Sequence, residues 1–175
     1  MVQETRQKTW ALVAIAISVA GTLGSLYLSM GLGLKACPLC FYQRTFMMSV
    51  VAVLCVGIIA ERSRADLLCL LGLPLALAGL CLAGFHEYLV LIDKLECPSG
   101  ILGLGTAPEQ SLAVFVALSG VLAAGSLRNV AAIVASVALG IALAVGCVFS
   151  APPMPPTPTK PYEQPLEICR PPFRP

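Results

Sequence analysis

The sequence has few charged residues, and this shortage excludes several classes of protein. Only 11% of the 175 residues are charged, whereas 58% are hydrophobic, and the mean hydropathy is +0.88. Soluble domains carry about a quarter of charged residues, so this composition indicates a membrane protein. The formal net charge is only +2 and there is no basic run, which argues against a nucleic-acid partner.

The sequence also lacks the motifs of several enzyme classes. It contains no internal repeat, no nucleotide-binding loop and no Ser/His/Asp arrangement, and His86 is its only histidine. The glycine-containing run 100–105 is too apolar to cradle a phosphate, and we expect it to lie along the membrane surface. Zinc normally takes four ligands, and the sequence shows only one close cysteine pair, so we expect no metal.

Apolar segments long enough to cross a bilayer, which takes about 20 residues, recur five times. They cover residues 10–34, 41–60, 67–92, 107–127 and 130–149. Only helices satisfy their own backbone groups inside lipid in a chain of this pattern. The expected fold is an all-α integral membrane protein: an antiparallel four-helix-bundle core with an added fifth transmembrane helix. Thr106 and Glu109 have the spacing of a capping box at the start of the fourth span.

Basic residues predict the orientation of the spans. Those expected on the cytoplasmic side are Arg6, Lys8, Arg62, Arg64 and Arg128, against Lys35, Arg44 and Lys94 on the opposite side. The N-terminus should therefore be cytoplasmic. Residues 150–175, which contain ten prolines, should form an extended extracytoplasmic tail.

This topology places four of the eight cysteines on the outer, oxidising face, where disulfides persist. Cys37 and Cys40 follow the first span, Cys97 follows the third, and Cys169 lies in the tail. The steps from residue 150 to Cys169 could span roughly 60 Å at about 3.1 Å per residue, so Cys169 can reach Cys97 and we expect the two to pair.

The other four cysteines lie inside the spans. Cys55, Cys69 and Cys81 are expected to be buried small apolar residues. Cys147, near the outer end of the fifth span, is a minor alternative partner for Cys97.

Cys37 and Cys40 can close a small, strained disulfide, which suits electron exchange better than it suits structural support. Arg44 lies four residues after Cys40, so on a helix that starts near Cys40 the helix end and the guanidinium both favour a Cys40 thiolate. Arg44 could also hydrogen-bond a quinone carbonyl that gains negative charge. His86 could donate to a second quinone oxygen or transfer a proton. The alternatives are a snorkelling arginine and an interfacial histidine bonded to water.

Residues 37–44, Cys-Pro-Leu-Cys-Phe-Tyr-Gln-Arg, placed just after a first span, closely resemble the motif of the bacterial DsbB/BdbC membrane thiol oxidases. The resemblance implies a bacterial inner-membrane enzyme that reoxidises a periplasmic thioredoxin-like (DsbA-type) dithiol oxidase and reduces ubiquinone or menaquinone. It implies that Cys40 of the Cys37–Cys40 pair contacts the quinone, that Arg44 binds it, and that Cys97 forms the mixed disulfide with the partner. The region around His86 matches as well.

The chain departs from this family in its second cysteine pair. The family places both of these cysteines between the third and fourth spans, where this chain has only Cys97. We expect the added fifth span to deliver Cys169 to the same face and restore the pair. Two other interpretations remain: a vitamin-K-epoxide-reductase-like oxidoreductase, although that family places its Cys-x-x-Cys late in the bundle, and a non-catalytic multi-span assembly or transport protein with structural cysteines.

Overall fold

The fold consists of five long helices. The computed structural model describes residues 2–60, 64–126 and 130–173. The helices are α1 (Val2–Met30), α2 (Pro38–Ala60), α3 (Ala65–Leu91), α4 (Ala107–Ser126) and α5 (Val130–Ser150). All five are long and apolar enough to cross a membrane, and pairing between extended segments in the described ranges is limited to isolated bridges. The predicted all-α membrane architecture is confirmed.

Helix α3 is the central helix of the bundle. It packs extensively against α2, α4 and α5, and α1 completes the bundle by packing on α2 and α4. Phe115, Leu54, Leu73 and Leu122 are almost fully buried between these helices. Helices α1–α4 therefore form the core of the bundle, and α5 is added on the outside against α3.

Two glycines permit this packing. A Cβ atom at Gly79 would collide with the ring of Phe115, and one at Gly140 would lie 3.0 Å from the carbonyl oxygen of Pro74 and 2.8 Å from the Cβ of Leu77. Small residues let membrane helices approach closely enough for their backbones to touch. Gly140 therefore fixes how closely α5 approaches α3.

The first two helices differ from their expected bounds. Helix α1 already begins at Val2, because the polar residues before the apolar segment are compatible with a helix. It ends at Met30, where Gly31 donates to the carbonyl of Tyr27. Helix α2 begins at Pro38 and not near Cys40. Proline suits the first position of a helix, because the N–H that it lacks would have no partner inside the helix there.

Side-chain hydrogen bonds to the backbone hold the connection between α3 and α4 in place. Thr106 and Glu109 form the reciprocal hydrogen bonds of the predicted capping box, both at 3.3 Å. Gln110 bonds three backbone groups of the short 3₁₀ helix Ile101–Gly103 and its flank. Leu102 and Leu104 are left exposed, as expected for a segment at a membrane surface.

The tail returns to the two outer connections of the bundle. The amide of Lys35 donates to the carbonyl of Glu167 at 2.7 Å, and Glu96 and Arg170 exchange two backbone hydrogen bonds at 2.8 and 3.0 Å. The connections that follow α1 and α3 therefore meet the segment that follows α5 at one end of the bundle, so the spans alternate in direction. Two of the basic residues used to predict the orientation, Arg62 and Arg128, lie outside the described residues.

Candidate active site

The Cys37–Cys40 pair lies at the beginning of α2. Both residues are free thiols, and their sulfur atoms are 2.9 Å apart. Because α2 begins at Pro38, Cys37 is the residue just before the helix, and the backbone N–H of Cys40 points at its sulfur at 3.3 Å. The expectation that the helix end would favour a Cys40 thiolate was wrong for this reason, since a helix that starts at Pro38 directs its N–H groups at Cys37.

The surroundings of Cys37 favour its thiolate form. The hydrogen bond from the Cys40 thiol lowers the pKa of Cys37 well below its ordinary value; burial opposes this effect, and His86 adds to it. Cys37 is 5% exposed. The thiolate, not the thiol, is the reactive form of a cysteine in thiol–disulfide exchange.

A disulfide joins Cys97 to Cys169 and fastens the tail to the connection between α3 and α4. Next to this bond, the side chain of Arg170 donates to the Glu96 carboxylate at 2.7 Å and lies 3.7 Å from the ring centre of Tyr162. Cys97 is 9% exposed, and Cys169 is partly exposed. The segment that carries Cys169 is thus docked on the bundle by side-chain and backbone contacts as well as by the disulfide.

His86, on α3, lies between the two cysteine pairs. It is fully buried, and its Nε2 atom is 3.4 Å from the sulfur of Cys97 and 3.9 Å from that of Cys37. Its Nδ1 atom lies 3.4 Å from the side-chain nitrogen of Gln43, whose oxygen accepts a hydrogen bond from Ser111 at 2.7 Å. His86 faces sulfur atoms, and it is not among the residues that line the cavity described below.

The fold brings together a cluster that the sequence did not predict. The sulfur atoms of Cys37, Cys40 and Cys169 and a ring nitrogen of His86 all lie within 4.8 Å of one another. Cys169 is already bonded to Cys97, and the other two sulfurs belong to the Cys37–Cys40 pair, so this cluster is not evidence of a metal. It shows instead that sulfurs of the two pairs are neighbours.

Arg44 is held by α1. Its Nε donates to the hydroxyl of Ser25 at 2.9 Å, and its Nη2 donates to the carbonyl of Ser25 at 3.0 Å and to the hydroxyl of Ser29 at 2.6 Å. Arg44 is half-buried. A side chain with three such bonds is fixed in direction, which distinguishes it from a mobile snorkelling arginine.

A cavity of about 370 Å³ opens beside Arg44, between α1, α2 and α4. Its walls are mainly apolar, and Cys40, Gln43, Arg44 and Cys169 contribute polar or sulfur atoms to them. Ligand pockets are commonly about 300–1,000 Å³, mostly apolar and provided with a few directed polar groups. Cys40 lines this cavity and Cys37 does not.

The cysteines within the spans are free thiols with different surroundings. Cys69 is buried, Cys55 and Cys147 are partly exposed, and Cys81 is exposed on the outside of the bundle. The expectation that Cys81 is buried was therefore wrong. Apolar residues cover every face of α3, so the sequence does not indicate which face turns outward.

Sequence reasoning missed the polar residues that support the site. Gln43 stands inside the motif, but its contact with His86 depends on how α2 and α3 are rotated about their axes. Ser25 and Ser29 are four residues apart on an apolar helix, and this spacing was a usable signal because it places both on one face. Ser111 follows the start of α4 by about one turn.

Comparison with known proteins gives consistent matches. The family model described as disulfide bond formation protein DsbB matches residues 7–112. A probable disulfide formation protein from Chlamydia muridarum (strain MoPn / Nigg) is 32% identical over 116 residues, covering 61% of this chain and 84% of the relative. Probable disulfide formation protein C from Bacillus cereus (strain ATCC 14579) is 35% identical over 86 residues, covering 49% of this chain and 60% of the relative. No solved structure gives a significant match.

We call the Cys97–Cys169 disulfide the outer pair and the Cys37–Cys40 thiols the inner pair. The matched residues end before Cys169, the second cysteine of the outer pair. The range 7–112 contains Cys37, Cys40, Arg44 and Cys97, and it ends within α4. Helix α5 and Cys169 lie beyond it. The position of the second cysteine of the outer pair, in which this chain differs from the arrangement expected from the resemblance, therefore lies outside the matched range.

Proposed function

Since the chain belongs to the family of disulfide bond formation protein DsbB and is a multi-pass membrane thiol oxidoreductase, we propose that it reoxidises a periplasmic thioredoxin-fold dithiol oxidase and delivers the electrons to a membrane quinone. The observation that supports this proposal most strongly is the placement of two cysteine pairs within exchange distance of each other, beside a cavity lined by Cys40 and Arg44.

The first step is exchange between the partner and the outer pair. The partner's thiolate attacks Cys97, forms a mixed disulfide and releases Cys169 as a thiolate. The second thiol of the partner then releases Cys97 and leaves with its own disulfide. The partner loses two electrons, and the outer pair gains them as two thiols. The periplasmic DsbA-type dithiol oxidase that the resemblance implies has the chemistry that this step needs.

The second step is exchange between the two pairs. Cys169 is the sulfur of the outer pair that lies within 4.8 Å of both Cys37 and Cys40. A Cys169 thiolate attacks Cys37, which releases Cys40, and Cys97 then attacks Cys169, which releases Cys37. The outer disulfide is restored, and the two electrons now reside on Cys37 and Cys40.

The cavity has the properties that a quinone headgroup needs. Its walls are mainly apolar, and Arg44 supplies a fixed cation that would hold a carbonyl oxygen. When bound, a ubiquinone or menaquinone supplies an acceptor for two electrons and two protons. Cys40 would lie against the bound ring, since it belongs to the cavity wall.

The proposed location is the bacterial inner membrane, with the N-terminus in the cytoplasm. Arg6 and Arg64 lie at the end of the bundle opposite Cys37, Cys40 and the Cys97–Cys169 disulfide. This supports the proposed orientation, because basic residues are in excess on the cytoplasmic side. Both cysteine pairs and the tail would then face the periplasm, where disulfides persist.

Dithiol-dependent quinone reduction by the purified protein tests this function. With dithiothreitol as donor and a short-chain ubiquinone as acceptor, Cys40→Ser should abolish activity, and Cys81→Ser, on the outside of the bundle, is the matched control. Cys97→Ser should stop turnover with a reduced thioredoxin-fold donor but keep turnover with dithiothreitol, which can reduce Cys37–Cys40 directly. Equal losses with both donors in Cys97→Ser would contradict the order of the relay.

A further inference from the structure

The position of His86 assigns its hydrogen atom. The sulfur of Cys97 belongs to a disulfide and carries no hydrogen, so it can only accept a hydrogen bond. Nε2 of His86, 3.4 Å away, must therefore be the donor. The same N–H faces Cys37 at 3.9 Å. One N–H group is thus shared between one sulfur of each pair.

A second chain of contacts agrees with the same tautomer. The amide nitrogen of Gln43 can only donate, so the Nδ1 atom of His86, 3.4 Å away, must present its lone pair. Ser111 donates to the oxygen of this amide at 2.7 Å. Because a hydroxyl can also accept, the amide orientation follows from the Nε2–H that the disulfide sulfur of Cys97 requires. Gln43 is 4% exposed and His86 is fully buried, so water has little access to these groups. If the amide were reversed, its oxygen would face Nδ1, so Nδ1 would carry the hydrogen and Nε2 would face the sulfurs without one.

This N–H lies where charge develops during exchange between the pairs. In the resolving step of the proposed relay, Cys97 attacks the Cys169 sulfur of the Cys37–Cys169 bond and Cys37 leaves. The S–S bond to Cys37 breaks as the bond to Cys97 forms, and the negative charge passes from Cys97 to Cys37. These two terminal sulfurs are the ones that Nε2 faces. A donor fixed in advance at such a position stabilises the transition state.

We propose that His86 stabilises both terminal sulfurs of the resolving step, Cys97 and Cys37, and that Gln43 and Ser111 are positioning residues that hold it in the Nε2–H tautomer. This inference rests on the proposed function for its role in turnover, but the tautomer itself does not. His86 then serves the exchange between the pairs and does not bind the quinone, in contrast to the role expected from the sequence.

Nitrogen NMR on the protein labelled with ¹⁵N-histidine tests the tautomer directly, because His86 is the only histidine and gives one pair of ring signals. The unmodified protein, without quinone or partner, should show a protonated Nε2 and a bare Nδ1. Gln43→Met should populate both tautomers. Ser119→Ala is the matched control, since Ser119 is buried on the same helix as Ser111 and its hydroxyl has no partner among the described residues. A protonated Nδ1 in the unmodified protein, or an unchanged spectrum in Gln43→Met, overturns the assignment.

The rate of exchange tests the catalytic role. Fully oxidised protein without quinone is mixed with one equivalent of dithiothreitol, and the pairs are followed by acid quench, alkylation and peptide mass spectrometry. Approach to equilibrium should slow about tenfold in Ser111→Ala and stay normal in Ser111→Thr, which keeps the hydroxyl, and in Ser119→Ala. Unchanged exchange in Ser111→Ala overturns the role of this network. If quinone reduction fails while both results hold, the proposed function fails and the role of His86 stands.

Discussion

Removing the side chain of Arg170 should make the Cys97–Cys169 disulfide easier to reduce. Arg170 holds the tail through its 2.7 Å bond to Glu96, a 3.1 Å bond to the carbonyl of Gln164 and its contact with the Tyr162 ring. These contacts keep the two sulfurs close when the bond is open, which raises their effective concentration and favours the disulfide. In Arg170→Ala the backbone pairing with Glu96 and the contacts between Lys35 and Glu167 would remain, but the side-chain contacts next to Cys169 would be lost.

The size of the effect follows from the exposure of these groups. The ion pair is partly exposed, at 18% for Arg170 and 36% for Glu96, so a pair of this kind contributes up to about 1 kcal/mol. The cation–π contact adds about 0.5–1 kcal/mol. A total of about 1.4 kcal/mol corresponds to a tenfold change in the equilibrium constant, or about 30 mV for a two-electron couple. The potential of the outer pair should therefore rise by about 30 mV in Arg170→Ala.

Equilibration in glutathione buffers measures this potential. The inner pair is first removed by Cys37→Ser and Cys40→Ser, and the ratio of thiol to disulfide at Cys97 and Cys169 is read by alkylation and peptide mass spectrometry. Lys160→Ala, which removes an exposed cation of the same tail, is the control. The shift should decrease in high salt, because exposed charges are screened. A potential equal to that of the control at low salt would refute the reasoning.

Two further predictions concern the inner pair and the cavity. Arg44→Met should raise the KM for short-chain ubiquinone about tenfold or more, because a charge-assisted hydrogen bond contributes about 1.5–3 kcal/mol; an unchanged KM, measured with dithiothreitol as donor, would show that Arg44 does not bind the acceptor. Because the Cys40 thiol is the main cause of the lowered pKa of Cys37, Cys37 should remain a thiolate as the pH falls below 7 and lose this form only near its lowered pKa. Cys40→Ala should then reduce alkylation of Cys37 by iodoacetamide at pH 6 about tenfold or more, and equal rates in both proteins would count against this cause.

The spans could be predicted because their signal is one of composition and length. An apolar segment of about 20 residues is sufficient to identify a membrane helix, and the five helices follow from it. The bounds of α1 and α2 were harder to predict from the sequence. A helix continues into polar residues such as those before Trp10 at little cost, and the preference of proline for the first helical position moved the start of α2 to Pro38.

The candidate site could be predicted from the sequence only in part, for a different reason. The motif identifies the thiols and the arginine, because their chemistry follows from their spacing. The surroundings of His86 depend on the rotation of α3 about its axis, and a helix that is apolar on every side contains no signal for that rotation. The same absence explains why Cys81 turned out to be exposed and why Gln43 was not recognised as a neighbour of His86.

The path of the chain through α5 has a consequence for how the enzyme matures. In the proposed orientation, Cys97 would reach the outer face as soon as α3 had been inserted, whereas Cys169 would arrive only after α5 had crossed the membrane and the residues behind it had been exported. Until then a nascent molecule would expose an unpaired Cys97 beside Cys37 and Cys40, the arrangement most prone to a wrong crosslink. Completion of the outer pair would thus be the last event of biogenesis, and a molecule whose synthesis or export stalled before Cys169 would remain unable to accept electrons from its partner.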